Sequence, residues 1–137
     1  MDVKTMLKAS PKGSCLNTEA MAACIEACFE CAQTCTMCAE ACLSAEMGAA
    51  MARCVAMGMD CAEMCQCLGR MMCRPAMSME ACAMMLAACC RMCAMCAECC
   101  AGQAGTMACC ALCAEMCTRC EQACQAMMAT PEMQACC

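Results

Sequence analysis

The sequence contains no histidine, tryptophan or tyrosine, and Phe29 is its single aromatic residue. Without histidine, Ser-His-Asp catalysis, Cys-His catalysis and histidine metal ligation are all excluded. Eight Lys and Arg against 13 Asp and Glu give a net charge of −5. With no basic patch and no aromatic stacking surface, nucleic acid is not an expected partner.

Export and membrane signals are also missing from the pattern. Lys4, Lys8 and Lys12 precede no apolar core or cleavage site of the kind that a secretion signal carries. Arg91 and Glu98 interrupt the most apolar third of the chain, so no window of 18 uncharged apolar residues exists and no membrane span is predicted. The expected compartment is the cytoplasm, with an export signal removed beforehand as the alternative.

Sulfur dominates the composition instead, with 27 Cys and 22 Met among 137 residues. An odd number of cysteines cannot pair completely within one chain. Disulfide scaffolds are usually short and rich in loops, whereas this chain is rich in Ala and has only six Gly and three Pro. The composition therefore favours helices that carry free thiols or metal thiolates in a reducing compartment.

Breakers and caps divide the chain into a tail (1–16), a helical domain (17–130) and a second tail (131–137). Asn17 or Thr18 is a suitable N-cap for a first helix that runs to about 45, and a second helix follows to about 73, before Pro75. Ser78 caps a third helix that ends near 101, and a fourth runs from about 106 to 128. Four helices of similar length with short links predict an all-α fold, an antiparallel four-helix bundle.

One stripe of residues on each predicted helix is spaced alternately three and four apart, the heptad spacing of packed helices. Cysteine occupies most of this seam, and nineteen of the 27 cysteines lie on it: Cys24, Cys28, Cys31, Cys35, Cys38, Cys42, Cys54, Cys61, Cys65, Cys82, Cys89, Cys93, Cys96, Cys100, Cys110, Cys113, Cys117, Cys120 and Cys124. The other seam positions are Met21, Met47, Met51, Gly58, Leu68, Met72, Met79, Leu86, Thr106 and Met127.

The remaining helix faces agree with this register. No charged residue occupies the seam, and the charges opposite it are Glu26, Glu40, Glu63, Arg70, Arg91, Glu98 and Glu115. Alanine often follows a seam cysteine, where a small side chain lets neighbouring helices approach closely. The pattern thus predicts a bundle with a cysteine-lined core and a solvated exterior.

Such a core has three interpretations. Cysteine can serve as a small buried hydrophobe, but Cys and Ala are too small to fill a bundle with helices about 8–10 Å apart, and a tube would remain. Disulfides are a second possibility, although cysteines at i and i+4 have Cβ atoms about 5–6 Å apart, more than the ~3.8 Å of a disulfide. Metal thiolates are the third and the favoured interpretation.

Among metals, the spacing favours Cu(I), which is soft and accepts thiolates and thioethers. A linear site needs two sulfurs about 4.5 Å apart if the bond is near the zinc–sulfur length of ~2.3 Å. Pairs at i and i+4 can reach this separation: Cys24/Cys28, Cys31/Cys35, Cys38/Cys42, Cys61/Cys65, Cys89/Cys93, Cys96/Cys100, Cys113/Cys117 and Cys120/Cys124. With bridging sulfurs the ratio is one thiolate to one ion, which predicts about 15–20 Cu(I) in a neutral core.

Two functions other than Cu(I) binding compete as explanations of the cysteine pattern. A thiolate module for zinc or cadmium detoxification, similar to a metallothionein, is the main alternative. A thiol redox enzyme would need one cysteine with a depressed pKa beside a positive group, and no seam cysteine is singled out in that way. We therefore expect a protein that is not an enzyme.

Residues at the ends and flanks of the seam have secondary roles. In an up-down bundle, Met21, Met72, Met79 and Met127 come together at one end, where their thioethers could pass Cu(I) inward. Within the helical domain, five cysteines lie off the seam and are expected to be auxiliary at best: Cys67, Cys73, Cys90, Cys99 and Cys109.

Three stretches carry a family resemblance: Cys24 to Cys42 with its repeated Cys spacing, Met59-Asp-Cys61-Ala-Glu-Met-Cys65, and Cys110-Ala-Leu-Cys113-Ala-Glu-Met-Cys117. They resemble the copper storage proteins, whose cysteine-rich four-helix bundles hold Cu(I), and the likeness covers about residues 20 to 128. The resemblance implies storage of several Cu(I) ions per chain and a homotetramer of bundles. Members of that family commonly carry His near one bundle end, which this chain lacks.

Overall fold

Six helices make up the part of the chain that the computed structural model describes, residues 2–11, 17–45 and 48–136. Their bounds are α1 Val3–Ala9, α2 Thr18–Ser44, α3 Gly48–Met72, α4 Met79–Ala101, α5 Ala108–Met128 and α6 Pro131–Cys136. No strand occurs within these ranges. The seam position predicted at Met47 lies outside the described residues.

The long helices begin where polar side chains satisfy free backbone N–H groups. The Asn17 side chain accepts a hydrogen bond from the backbone of Ala20, and the Ser78 side chain accepts one from Ala81. The start of α5 has no such cap, because Met107 precedes it. Helix α5 begins at Ala108, two residues after the predicted start, since the backbone N–H of Thr106 bonds to the carbonyl of Gln103 in a turn.

Helices α2 to α5 form the predicted antiparallel four-helix bundle. Helix α2 packs against α3 and α5, and α4 packs against the same two helices, so each long helix has two neighbours around a common axis. Small residues bring α2 and α3 together, because a Cβ at Gly58 would lie 3.5 Å from the carbonyl oxygen of Cys35. The prediction of the fold class is confirmed.

The two short helices lie at the same end of the bundle. Helix α1 packs against α2, where Lys4 forms an ion pair with Glu19, and α6 packs against α4 and α5. Leu7 of α1 and Met133 of α6 are buried in the core. The segments predicted as tails therefore each contribute a helix that covers the end where α2 begins and α5 finishes.

Charge and hydropathy follow the predicted faces of the helices. The residues opposite the seam are exposed, from Glu26 on α2 to Glu115 on α5. Among the described helices, α4 is the one that is long and apolar enough to cross a membrane, with a mean hydropathy of 1.5. Core helices of soluble proteins share these properties. The inward face of α4 is buried among the other helices from Cys82 to Cys100.

Candidate metal centre

The structure places all nineteen seam cysteines inside the bundle. Each is buried, and the most exposed of them, Cys54, has a relative exposure of 7%. The off-seam cysteines separate clearly from this set, since Cys67 and Cys73 are exposed while Cys90, Cys99 and Cys109 are half-buried. All cysteines whose side chains are described are free thiols. A single heptad register thus divides the cysteines between interior and surface.

Sulfur atoms from facing helices touch across the axis. The Sγ of Cys35 lies 3.6 Å from that of Cys117 and 3.7 Å from that of Cys113, and the Sγ of Cys65 lies 3.6 Å from those of Cys89 and Cys93. At these levels the predicted hollow is closed by thiols in contact. The small residues beside the seam explain this, because they let the helices approach more closely than the expected spacing.

The thiols assemble into overlapping groups of four whose sulfurs lie within 4.8 Å of one another. Four groups follow one another along the axis: Cys28/Cys89/Cys120/Cys124, Cys31/Cys65/Cys93/Cys120, Cys31/Cys35/Cys61/Cys117 and Cys35/Cys96/Cys113/Cys117. Each shares at least one sulfur with the next. We call this continuous ladder, made of those twelve cysteines, the thiol column.

The sulfur separations in the column indicate the coordination numbers that it can support. For a metal–sulfur bond of ~2.3 Å, simple geometry gives about 4.6 Å between sulfurs in a linear site and about 4.0 Å in a trigonal one. Three i, i+4 pairs, Cys31/Cys35, Cys61/Cys65 and Cys113/Cys117, have sulfurs 3.9–4.0 Å apart. These pairs match three-coordinate Cu(I) as they stand, and linear coordination requires the sulfurs to move apart by about 0.6–0.7 Å.

A separate group lies at the end of the bundle away from α1 and α6. Cys38, Cys42, Cys109 and Cys110 have sulfurs within 4.8 Å of one another, and the Sγ atoms of Cys42 and Cys109 are 3.9 Å apart. Cys109 was predicted to be auxiliary at best, because only seam positions were expected to supply ligands. Cys109 and Cys99 occupy the heptad position directly before a seam cysteine, and this flanking position was the signal that could have identified them.

The four methionines predicted at a bundle mouth differ in burial. Met21, Met72 and Met127 are fully buried, whereas Met79 is half-buried and packs against the core. Up-down topology brings all four to the end that α1 and α6 cover. By their positions along the helices, they follow the thiol column toward that end of the bundle.

Burial raises the pKa values of the interior thiols, whereas sulfur–sulfur hydrogen bonds raise the pKa of some, such as Cys28, and lower that of others. Burial raises the pKa values of Cys54 and Cys110 to about 12. Hydrogen bonding with Cys124 and Cys28 lowers the pKa of Cys24 to about 5 and that of Cys120 to about 7. The thiolates of Cys24 and Cys120 are therefore stabilised by neighbouring S–H groups. The thiols of Cys54 and Cys110 stay protonated at neutral pH.

Proton release makes metal binding depend on pH. Because Cys54 and Cys110 have pKa values of about 12, they are protonated between pH 6 and 8, and each must lose its proton when a metal thiolate forms. An ion that displaces one proton should bind about tenfold more weakly for each unit by which the pH falls. Competition against a Cu(I) chelator of known pH response, at pH 6 and 8, should show about a hundredfold loss. An affinity that is equal at both values would contradict this assignment.

The fold and the site together define a class of protein, a four-helix bundle whose interior is a ladder of thiols suited to soft metal ions. The family model of the copper storage protein matches residues 17–129. The chain belongs to the copper storage protein family.

Solved structures support this placement. The structure of the copper storage protein Ccsp from Streptomyces lividans, loaded with 10 copper equivalents, is 41% identical, covers 93% of this chain and 98% of that chain, and superposes with a TM-score of 0.88. A structure of the cytosolic copper storage protein from the same organism, loaded with five coppers, is 43% identical, with coverages of 82% and 94% and a TM-score of 0.79. A comparison with curated proteins gives no match.

Proposed function

We propose that this protein stores Cu(I) in the cytosol as thiolate complexes inside its bundle. The observation that carries the proposal is the overlap of the four-sulfur groups, in which Cys31, Cys35, Cys117 and Cys120 each belong to two groups. A sulfur that serves two groups can bridge two ions, and bridging allows many ions to share one column. Burial of that column shields Cu(I) from oxidants, as sequestration requires.

The net charge of the filled column distinguishes Cu(I) from Zn(II). The sulfur geometry alone would accommodate either metal. Groups of four sulfurs can hold a tetrahedral Zn(II) ion, but four Zn(II) in the column would leave its twelve thiolates with a net charge of −4. Cu(I) at one ion per thiolate leaves no net charge. Uncompensated buried charge is costly, so the column favours Cu(I).

Competition between the two metals tests this assignment. The protein is titrated with Cu(I) and Zn(II) together, each held at a defined free concentration by a chelator, and both bound metals are measured. We expect Cu(I) to displace Zn(II) from the protein throughout the titration. If Zn(II) stays bound at free Cu(I) concentrations that saturate the protein in the absence of zinc, the function is instead that of a zinc or cadmium detoxification module.

The buried methionines provide a second proposal, that Met21, Met72, Met79 and Met127 pass Cu(I) into the column. Neutral thioethers bind Cu(I) weakly enough to release it to thiolates. Replacing all four with Leu keeps the side-chain volume, and we expect slower Cu(I) uptake in stopped-flow measurements with unchanged capacity. Unchanged uptake rates would instead place entry at the opposite end, where Cys99 and Cys109 are half-buried.

We propose a homotetramer of bundles as the assembled form, on the basis of the family resemblance. Large apolar side chains support an interface, since Met37 on α2 and Leu112 on α5 are each more than 60% exposed and line one surface groove. Exposed apolar groups of this kind mark interaction surfaces when they lie together. Sedimentation equilibrium should give four times the chain mass of 14.3 kDa, and a monomer at all concentrations would contradict the proposal.

A further inference from the structure

One pair of thiols differs from the rest of the interior. The Sγ atoms of Cys54 on α3 and Cys99 on α4 lie 2.7 Å apart, and the Cys54 thiol also donates to the carbonyl oxygen of Cys99 at 3.5 Å. The other hydrogen-bonded sulfur pairs in the core lie 3.6–4.0 Å apart. Cys54 is buried while Cys99 is half-buried. The pair therefore consists of one interior sulfur and one partly accessible sulfur that are in close contact.

A surface pocket of about 350 Å³ opens beside the Cys99 side of the pair. Arg53 and Arg91 line it together with Glu98 and Cys99, so the lining carries two positive charges and one negative charge. Met57, Met95 and Gly102 complete the lining. This charge balance disfavours a metal cation and favours a small molecule with carboxylate groups.

We propose that Cys54 and Cys99 are a reversible disulfide site, oxidised by exchange with an anionic small-molecule disulfide that enters this pocket. The Cys99 thiolate attacks one sulfur of the incoming disulfide, forms a mixed disulfide and releases one small-molecule thiolate. The Cys54 thiol gives its proton to the released small-molecule thiolate and attacks the Cys99 sulfur, and the second small-molecule thiolate leaves and takes up the proton that Cys99 lost. In sum, two protein thiols and one small disulfide become one protein disulfide and two small thiols.

The location of the pair gives this exchange a consequence for the metal site. Cys54 is one of the nineteen seam cysteines predicted to bind Cu(I), and oxidation withdraws it while it ties α3 to α4 at that end. This consequence rests on the proposed storage function, whereas the exchange itself does not. An oxidised chain should hold one or two fewer Cu(I) ions than a reduced one.

Oxidised glutathione is a suitable probe, because it is an anionic disulfide. The reduced, metal-free full chain is incubated with it under nitrogen, the remaining thiols are alkylated, and unreduced tryptic peptides are analysed by mass spectrometry. Cys54 falls in peptide 54–70 and Cys99 in peptide 92–119, so their disulfide joins two peptides. We expect this joined pair to form first, with the loss of two thiols per chain.

Single variants localise the bond. Cys99→Ser should abolish the joined peptides, and Cys54→Ser should stop the reaction at a glutathione adduct on Cys99. Cys109→Ser is the matched control, because Cys109 is also half-buried beside a seam cysteine, with the Sγ of Cys42 at 3.9 Å. In this variant the joined peptides should still form to the same extent as in the unmodified chain. Joined peptides that persist in Cys99→Ser, or adducts on the exposed Cys67 and Cys73 alone, would overturn the proposal.

Copper capacity separates failure of this proposal from failure of the storage function. We expect the oxidised chain to lose one or two Cu(I) and to regain them after reduction by dithiothreitol. If the peptides join while the capacity stays constant, the disulfide site stands and the assignment of Cys54 as a copper ligand is wrong. If the peptides never join, the disulfide site is wrong and the storage function is unaffected.

Discussion

Replacing Cys31, Cys35 and Cys117 together with Ala should lower the Cu(I) capacity by about three to six ions. At one ion per thiolate the loss is three, and it reaches six if both of the ions that each removed sulfur bridges are released. These three residues belong to three of the four groups in the thiol column. Two of them, Cys35 and Cys117, are shared by the third and fourth groups. The measurement is bound copper per chain after saturation and gel filtration.

A matched control replaces three cysteines outside the seam, Cys67, Cys73 and Cys90, with Ser. Their side chains are exposed or half-buried, so the capacity should stay within one ion of the original. The core variant should lose about 1 kcal/mol of apo stability for each truncation, and circular dichroism checks that both variants fold. Equal copper loss in the two variants would show that the seam has no special role.

Loading with Cu(I) should raise the unfolding temperature of the chain by tens of degrees. An ion that binds only the folded state adds about 2.7 kcal/mol of stability at a free concentration one hundred times its Kd, and several ions add repeatedly. The apo protein has few large core side chains, because cysteine and alanine make up most of its buried interior. The large fully buried side chains within the four described long helices are Met21, Ile25, Met51, Leu68, Met72, Leu86 and Met127. Metal thiolates therefore supply much of the cohesion of the loaded interior.

Calorimetry of the apo and the saturated protein checks this shift. The triple Ala variant of the column should gain clearly less than the unmodified chain, because it holds fewer ions. Binding of Cu(I) to thiolates of the unfolded chain reduces the shift without removing it. Identical melting curves with and without Cu(I) would mean that the metal binds outside the folded core.

Heptad spacing was sufficient to predict which cysteines face inward, because a helix fixes the direction of each side chain. Cys61 and Cys65 are buried and Cys67 is exposed, as the register requires. The caps at Asn17 and Ser78 were also predictable, since each side chain needs only a local backbone N–H. Both inferences use geometry within one helix.

Distances between helices could not be predicted in the same way. The register does not report how closely α3 and α4 approach, so the contact between Cys54 and Cys99 and the role of Cys109 beside Cys42 emerged only from the structure. The short helices α1 and α6 were missed for a related reason. Their formation depends on packing of Leu7 and Met133 against the finished bundle, which a sequence of seven or six residues does not show.

The most direct test of the central claim is a titration with Cu(I) in the presence of a strong Cu(I) chelator, read as metal bound per chain. Bridging sulfurs in the column and its neighbouring groups predict saturation at about 15–20 ions. Saturation at about one ion for each group of four sulfurs would contradict the account, because it would mean that each group holds a single ion and that no sulfur is shared.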